Sequence, residues 1–433
     1  EMSASLVGSE MCIRDRTLRT KAAILFAALL AIHTGAAAAP DGHDDRKEKR
    51  HEEPVSDKGR LKISGYLQPQ FQWGEGDASL KVGTPNDNPS KSFNRFGLRR
   101  GHLKFAYAYK TASAVVQIDV STEKGVILKD AYIDVKEPWL RTFGLQAGVF
   151  NRPFGLEIEL SSSVRETPER SYIFPMLFPD ERDFGAMLVI RAPEDSPWHI
   201  VGLQAGIFSG NGIGQDNDNR KDFIGHLSFG DEFDDFSFRA GASYYHGFVY
   251  QGTGTVHTMT DSGFRTETDP SNKGRYAKRQ YYGFDACFRF ETDLGTTTLR
   301  GEYLFGTQPG TQTSSKSPNT AALPASDTYL RPFRGGYVLL AHDIEDTPFS
   351  LVAKYDVYDP NTKVSGNALG TGGTGITDAL RWAIGFGATW HIMKGLKLTA
   401  YYDIVRNETS TALDGFAADL KDDMFTLRLQ YKF

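Results

Sequence analysis

The stretch Leu396-Lys397-Leu398-Thr399-Ala400-Tyr401-Tyr402-Asp403-Ile404 alternates without a break. In an extended strand Leu396, Leu398, Ala400, Tyr402 and Ile404 share one face, and Lys397, Thr399, Tyr401 and Asp403 share the other. An apolar face and a polar face on one strand demand two different surroundings. The same division recurs in 236–244, 282–290, 351–357 and 382–390. Alternation alone fits a two-sheet sandwich as well as a closed barrel.

Connection lengths separate the two. About sixteen strands are predicted, near 61–73, 94–109, 114–120, 126–135, 140–150, 184–191, 198–208, 222–229, 235–248, 280–291, 296–305, 333–342, 349–358, 379–390, 396–406 and 423–433. Short connections at 110–112, 137–138, 193–197, 230–232, 292–294, 344–346 and 393–395 alternate with long ones at 76–91, 151–183, 249–279, 306–331 and 361–377. Only 121–125 is short on the long side. Short turns at one rim and long loops at the other, with an even strand number, predict an all-β, transmembrane, antiparallel up-and-down β-barrel over residues 61–433, its short rim periplasmic.

Composition agrees. Hydrophobic residues make up 40% and glycine numbers 44, yet the mean hydropathy is only -0.39, as expected when one strand face meets lipid and the other water. A net charge of -5 argues against a nucleic-acid partner, which needs a large basic surface.

Residues 1–16 show no pattern and read as an artefact of the gene model. Arg19 and Lys21, the apolar run 22–32 and the small residues 35–39 follow in the order of a secretory signal peptide. The apolar run is shorter than the ~20 residues of a spanning helix. Residues 40–60 are a charged segment with almost no apolar content, expected to be a flexible periplasmic tail rather than a metal site at His43 and His51. Cys12 and Cys287 give no disulfide framework.

At the far end Phe425, Leu427, Leu429, Tyr431 and Phe433 alternate with Thr426, Arg428, Gln430 and Lys432. An aromatic last residue on such a strand resembles the signal read by the outer-membrane assembly machinery, with Phe425, Tyr431 and Phe433 as its aromatic members. If apolar faces meet lipid, the lumen carries Lys104, Arg239, Arg289, Arg300, Lys354, Arg381, Lys397, Arg428 and Lys432 against Asp119, Asp130, Asp134, Asp285, Glu302, Asp356 and Asp403. Such a mixed lining could orient ions across the pore or simply pair with itself.

Between 96 and 185 a family resemblance enters. Phe96-Gly97-Leu98-Arg99-Arg100-Gly101-His102-Leu103-Lys104-Phe105 is similar to the double-arginine strand of the phosphate-selective porin O/P family. Leu128-Lys129-Asp130-Ala131-Tyr132-Ile133-Asp134, then Gly148-Val149-Phe150-Asn151-Arg152-Pro153-Phe154-Gly155-Leu156-Glu157, Glu169-Arg170-Ser171 and Asp180-Glu181-Arg182-Asp183-Phe184-Gly185 follow in that family's order. The resemblance implies a sixteen-stranded, trimeric outer-membrane porin whose third loop, 151–183, folds inward. It also implies passive diffusion of small anions of the phosphate type. Carried over, Arg99, Arg100 and Lys104 lie on a strand near the constriction, and Arg152, Arg170 and Arg182 in or beside the loop. Arginine suits the task because its planar fork grips an oxyanion and keeps its charge.

Parity points Arg100 inward and Arg99 outward, unless a bulge at Gly101 turns the strand. The chain departs from the family in carrying Glu157, Glu166, Glu169, Asp180, Glu181 and Asp183 in the loop and no dense lysine run. The arginines are therefore expected either to filter anions or to brace the loop through Glu157, Glu169 or Asp180. Other readings are a general or sugar-type porin with a greasy track at Tyr172, Phe174 and Phe178, and an adhesin or structural barrel acting through its loops. His102, His226 and His342 stand in no nucleophile motif, so an enzyme is not expected. No metal or cofactor motif occurs, and 216–219 reads as a turn rather than a calcium loop.

Overall fold

The computed structural model describes residues 59–433. In chain order the strands are β1 (Arg60–Gly74), β2 (Phe93–Tyr109), β3 (Ala112–Ser121), β4 (Gly125–Lys136), β5 (Phe143–Asn151), β6 (Arg182–Arg191), β7 (Val201–Phe208), β8 (Asp222–Glu232) and β9 (Phe236–Tyr250). There follow β10 (Thr255–Thr260), β11 (Gly263–Thr268), β12 (Tyr276–Thr292), β13 (Gly295–Gly310), β14 (Thr328–Ile344), β15 (Phe349–Asp359), β16 (Arg381–Met393), β17 (Leu396–Asn407) and β18 (Met424–Lys432). Sixteen of these pair antiparallel with their neighbours, β9 passing directly to β12, and β18 returns to β1 to close the barrel. Closure satisfies every strand edge internally, the condition a sheet must meet to cross a bilayer. The expected signal peptide, and all but the end of the charged segment 40–60, lie outside the described residues.

Two faces follow from the alternation. On β18 Thr426, Arg428 and Gln430 are buried inside the barrel, while Leu429 and Tyr431, with Phe433 just past the strand, are exposed outside it. Leu61, Ile133, Leu188, Val338, Leu340 and Phe386 continue the exposed apolar band around the cylinder. A surface of that kind is unstable in water and stable in lipid. The inward set contains Asp119, Asp130, Asp134, Asp285, Arg300, Glu302, Asp356 and Arg428, all buried, as parity requires. The last residue takes part in closure: the Phe433 N–H donates to the Gly65 carbonyl and the Gly65 N–H to the Phe433 carbonyl, both at 3.0 Å.

Strand positions follow the expected ones, with two differences on the long-loop side. Strands β12 to β14 extend beyond the predicted ends, to Tyr276, Gly310 and Thr328. The 249–279 loop contains the β10–β11 hairpin, and β10 adds to β14 in parallel through Val256, His257 and Thr258. This hairpin stands above the lipid band with most of its residues at least partly exposed, so its sequence lacks the apolar stripe that marks a barrel strand.

Candidate functional site

The third connection on the long-loop rim, residues 152–181 between β5 and β6, lies inside the barrel. One part of it is apolar. Phe154, Ile158, Ile173, Phe174, Leu177 and Phe178 are buried in one cluster with Tyr245, Tyr281, Phe333 and Tyr337 of the wall. The short helix α1 (Ile173–Leu177) presents Phe174, whose ring is 6.3 Å from those of Phe178 and Tyr337. Phe178 in turn sits 6.0 Å from Tyr245 and 5.7 Å from Tyr281. Such ring pairs add to the burial of large apolar areas. Glycine makes room for them: a Cβ on Gly283 would come within 2.5 Å of the Phe154 ring. Gly155, at φ +64, turns the chain where a side chain would strike Glu302.

The rest of the loop is held by charge. Glu169 accepts from three guanidinium groups: Arg99 Nε at 2.9 Å, Arg100 Nη2 at 2.7 Å and Arg428 Nη2 at 2.7 Å. Glu166 accepts from Arg300 Nη2 at 2.7 Å, and Glu159 from Arg239 Nη2 at 3.0 Å. Backbone carbonyls join in, with Arg428 donating to Pro168 and Gln68 to Ser162. Burial opposes ionisation of Glu169, but Arg100, Arg99 and Arg428 outweigh it and hold the carboxyl well below the usual carboxylate range. Glu181 is held down in the same way by Arg170, Lys129 and Arg182 against its burial.

Two β-bulges deliver these partners. On β2, Arg100 lies opposite Gln68 and Leu98 opposite Pro69, so Arg99 is an extra residue in the ladder. The parity expectation for Arg99 is thereby corrected: both arginines reach the loop. Proline opposite the bulge is the physical cause that sequence offers, since Pro69 has no N–H to give the ladder. On β4 the register shifts in the same manner between Asp130 and Leu128, making Lys129 the extra residue, 3.9 Å from Glu181. A bulge lets two successive side chains serve the lumen.

The remaining expected residues fall into separate groups. Arg170 pairs with Glu181, and Arg182 meets Asp130 at 3.1 Å and Glu181 at 2.6 Å. Arg152 is enclosed with Asp183 at 3.1 Å and donates to Asn319. Lys104 lies four positions beyond Arg100 along β2, towards the short-turn rim and away from the Glu169 cluster. The greasy track is corrected: Phe174 and Phe178 are fully buried in the ring cluster, and only Tyr172 is partly open.

Part of the charged cluster is open to solvent. Arg99 and Glu169 keep 22% and 25% of their side chains exposed, whereas Arg100 keeps 9%. Beside them Arg381 stacks over Tyr172 at 4.2 Å and is 21% exposed. Lys81, from the β1–β2 loop, is close enough to Glu169, Arg381 and Arg99 to feel their charges, and burial lowers its pKa. Lys81, a lone lysine in a polar loop, carries no pattern in the sequence that marks it for the site. The inward row Gln68, Gln70 and Gln72 on β1 was readable by parity and belongs to the site: Gln70 accepts from Arg428 at 2.6 Å.

No protein-family model and no curated protein sequence matches the chain. Solved structures do. An anion-selective porin from Comamonas acidovorans aligns over 87% of this chain and 100% of its own, with TM-score 0.53 and 9% identity. The outer-membrane channel DcaP of Acinetobacter baumannii aligns over 87% and 97%, at 0.52 and 11%. OprB of Pseudomonas putida aligns over 86% and 94%, at 0.52 and 8%. At such identities the likeness is one of fold: this chain has the closed sixteen-stranded barrel of outer-membrane porins.

Proposed function

We propose that the protein is an outer-membrane diffusion channel for small anions, with its narrow passage between the third loop and the wall formed by β15, β16, β17, β18, β1 and β2. One observation carries this reading. Along the open side of the loop, among the described residues, Lys81, Arg99, Arg100, Lys354, Arg381 and Arg428 outnumber Glu169, Asp356, Asp403 and Asp422. The acids Glu157, Glu159, Asp285 and Glu302 lie on the other side, under the loop. In a low-dielectric wall the cationic surplus concentrates anions at the passage.

Within this reading Arg99 and Arg381 face the passing solute, while Arg100, Arg152, Arg170 and Arg182 hold the loop and Lys104 lies further along the same wall. Phe425, Tyr431 and Phe433 present the terminal strand to the assembly machinery, and the barrel works as a homotrimer. Phosphate is one candidate solute among small oxyanions. The test is single-channel recording of the purified protein in planar bilayers across a potassium chloride gradient, followed by addition of phosphate or sugars. An anion-selective reversal potential with block by phosphate is expected. Cation selectivity, or block by sugars alone, overturns the anion reading in favour of a general or sugar-type pore.

A further inference from the structure

Arg165 stands in the middle of the charged half of the third loop, and its side chain is 0% exposed. Its Nε, Nη1 and Nη2 have no hydrogen-bond acceptor among the described residues. The nearest carboxylate is that of Glu157, 3.8 Å from Nη1, beyond hydrogen-bonding distance. Nor can the side chain easily swing to water. Gln68 donates to the Ser162 carbonyl at 3.0 Å, Gln430 to the Ser163 carbonyl at 2.9 Å and Lys397 to the carbonyl of Arg165 itself at 3.3 Å. The wall thus pins the segment on both sides of the guanidinium.

The surroundings do not supply the missing charge. Arg99, Arg100 and Arg428 already share Glu169, and Arg170 is paired with Glu181. Arg165, Lys397, those three arginines and Arg300, which holds Glu166, make six cations against Glu157, Glu166 and Glu169. Burial, with Arg170 and Arg100 close by, pushes the Arg165 guanidinium down to about 9. A buried cation with five unsatisfied N–H groups is costly unless an acceptor carrying negative charge joins it. Water can accept the hydrogen bonds but leaves the charge excess in place.

We propose that Arg165 holds a small monovalent inorganic anion of the halide class inside the third loop, as a structural ion separate from the open passage. A monatomic anion needs the least room, and Glu157 at 3.8 Å disfavours a divalent one. The ion completes the charged half of the loop and makes its seating depend on halide. It stands independently of what the channel conducts, because the side chain has no exposed surface.

Bromide is the probe. Crystals of the full-length protein equilibrated in sodium bromide are examined by anomalous diffraction, and melting is followed in sodium bromide against sodium gluconate for the wild type and Arg165→Met. An anomalous peak in contact with Arg165 is expected, with a melting temperature about 3 °C higher in bromide for the wild type and equal in both salts for the variant. A guanidinium bonded directly to Glu157 or to water, with no bromide peak, overturns the assignment. Should Arg165→Met fail to fold, the wild-type peak alone decides. Reversal potentials, which test the conduction reading, are not expected to follow the presence of this ion.

Discussion

Phe154, Ile158 and residues 173–178 of the third loop are seated by ring packing against β9, β12 and β14, whereas Glu159 and 161–170 are seated by carboxylates and carbonyls on the arginines, lysines and glutamines of β1, β2, β9, β13, β17 and β18. Apolar seating is indifferent to salt and pH and decides whether the loop stays inside. Ionic seating costs desolvation and adds less net stability, and on the proposed reading it places the field where solutes pass. On that reading one loop separates holding from selecting.

The largest expected effect comes from breaking the apolar half. Phe178→Ala removes a fully buried ring that contacts Phe154, Phe174, Tyr245 and Tyr281, at a cost of about 3–5 kcal/mol. Single-channel records of this variant should show larger and noisier conductance at every salt concentration. Quiet records of wild-type size would show that ring packing does not seat the loop.

Glu169→Gln strikes the ionic half. Glu169 is a quarter exposed, so exchanging its charge for an amide beside three guanidinium groups should cost about 2 kcal/mol, less than for a fully enclosed pair. The loop stays in place, and anion preference rises because one negative charge leaves the passage. A fall in anion preference would contradict the assignment of the passage to this side.

Acid titration sharpens the same contrast at smaller amplitude. Glu169 and Glu181 have carboxyl pKa values depressed well below that of an unfolded glutamate, about 4.3. Their contribution is fully present above that value and is lost only as pH falls further, through the folded-state pKa. Channel noise should stay constant from neutrality to about pH 4 and rise only in stronger acid. Noise that rises already near pH 5 would mean that these carboxylates are not held by the arginines.

The barrel was legible because every spanning strand meets two solvents, and the sequence of 396–404 or 425–433 records both. Strand ends at Gly310 and Thr328 were not, since pairing continues above the lipid where no apolar face is required. The β10–β11 hairpin escaped for the same reason. Within the site, inward Arg100, Arg300, Lys354, Arg381 and Arg428 follow from parity. Their partners do not, because Glu169 finds Arg428 across 259 positions of chain through tertiary packing alone. Arg99 was misplaced although Pro69 carried the signal of a bulge: the missing N–H lies on one strand and the extra residue on the next.

The most direct measurement compares two adjacent arginines. Arg99, the more open of the two, is placed in the passage, and Arg100, nearly enclosed, in the brace. Reversal potentials in a potassium chloride gradient are recorded for Arg99→Ala and Arg100→Ala. Arg99→Ala is expected to lose much of the anion preference at nearly unchanged noise, while Arg100→Ala becomes noisier and keeps its preference. Loss of preference in Arg100→Ala alone, or in neither variant, would contradict the separation of filter and brace.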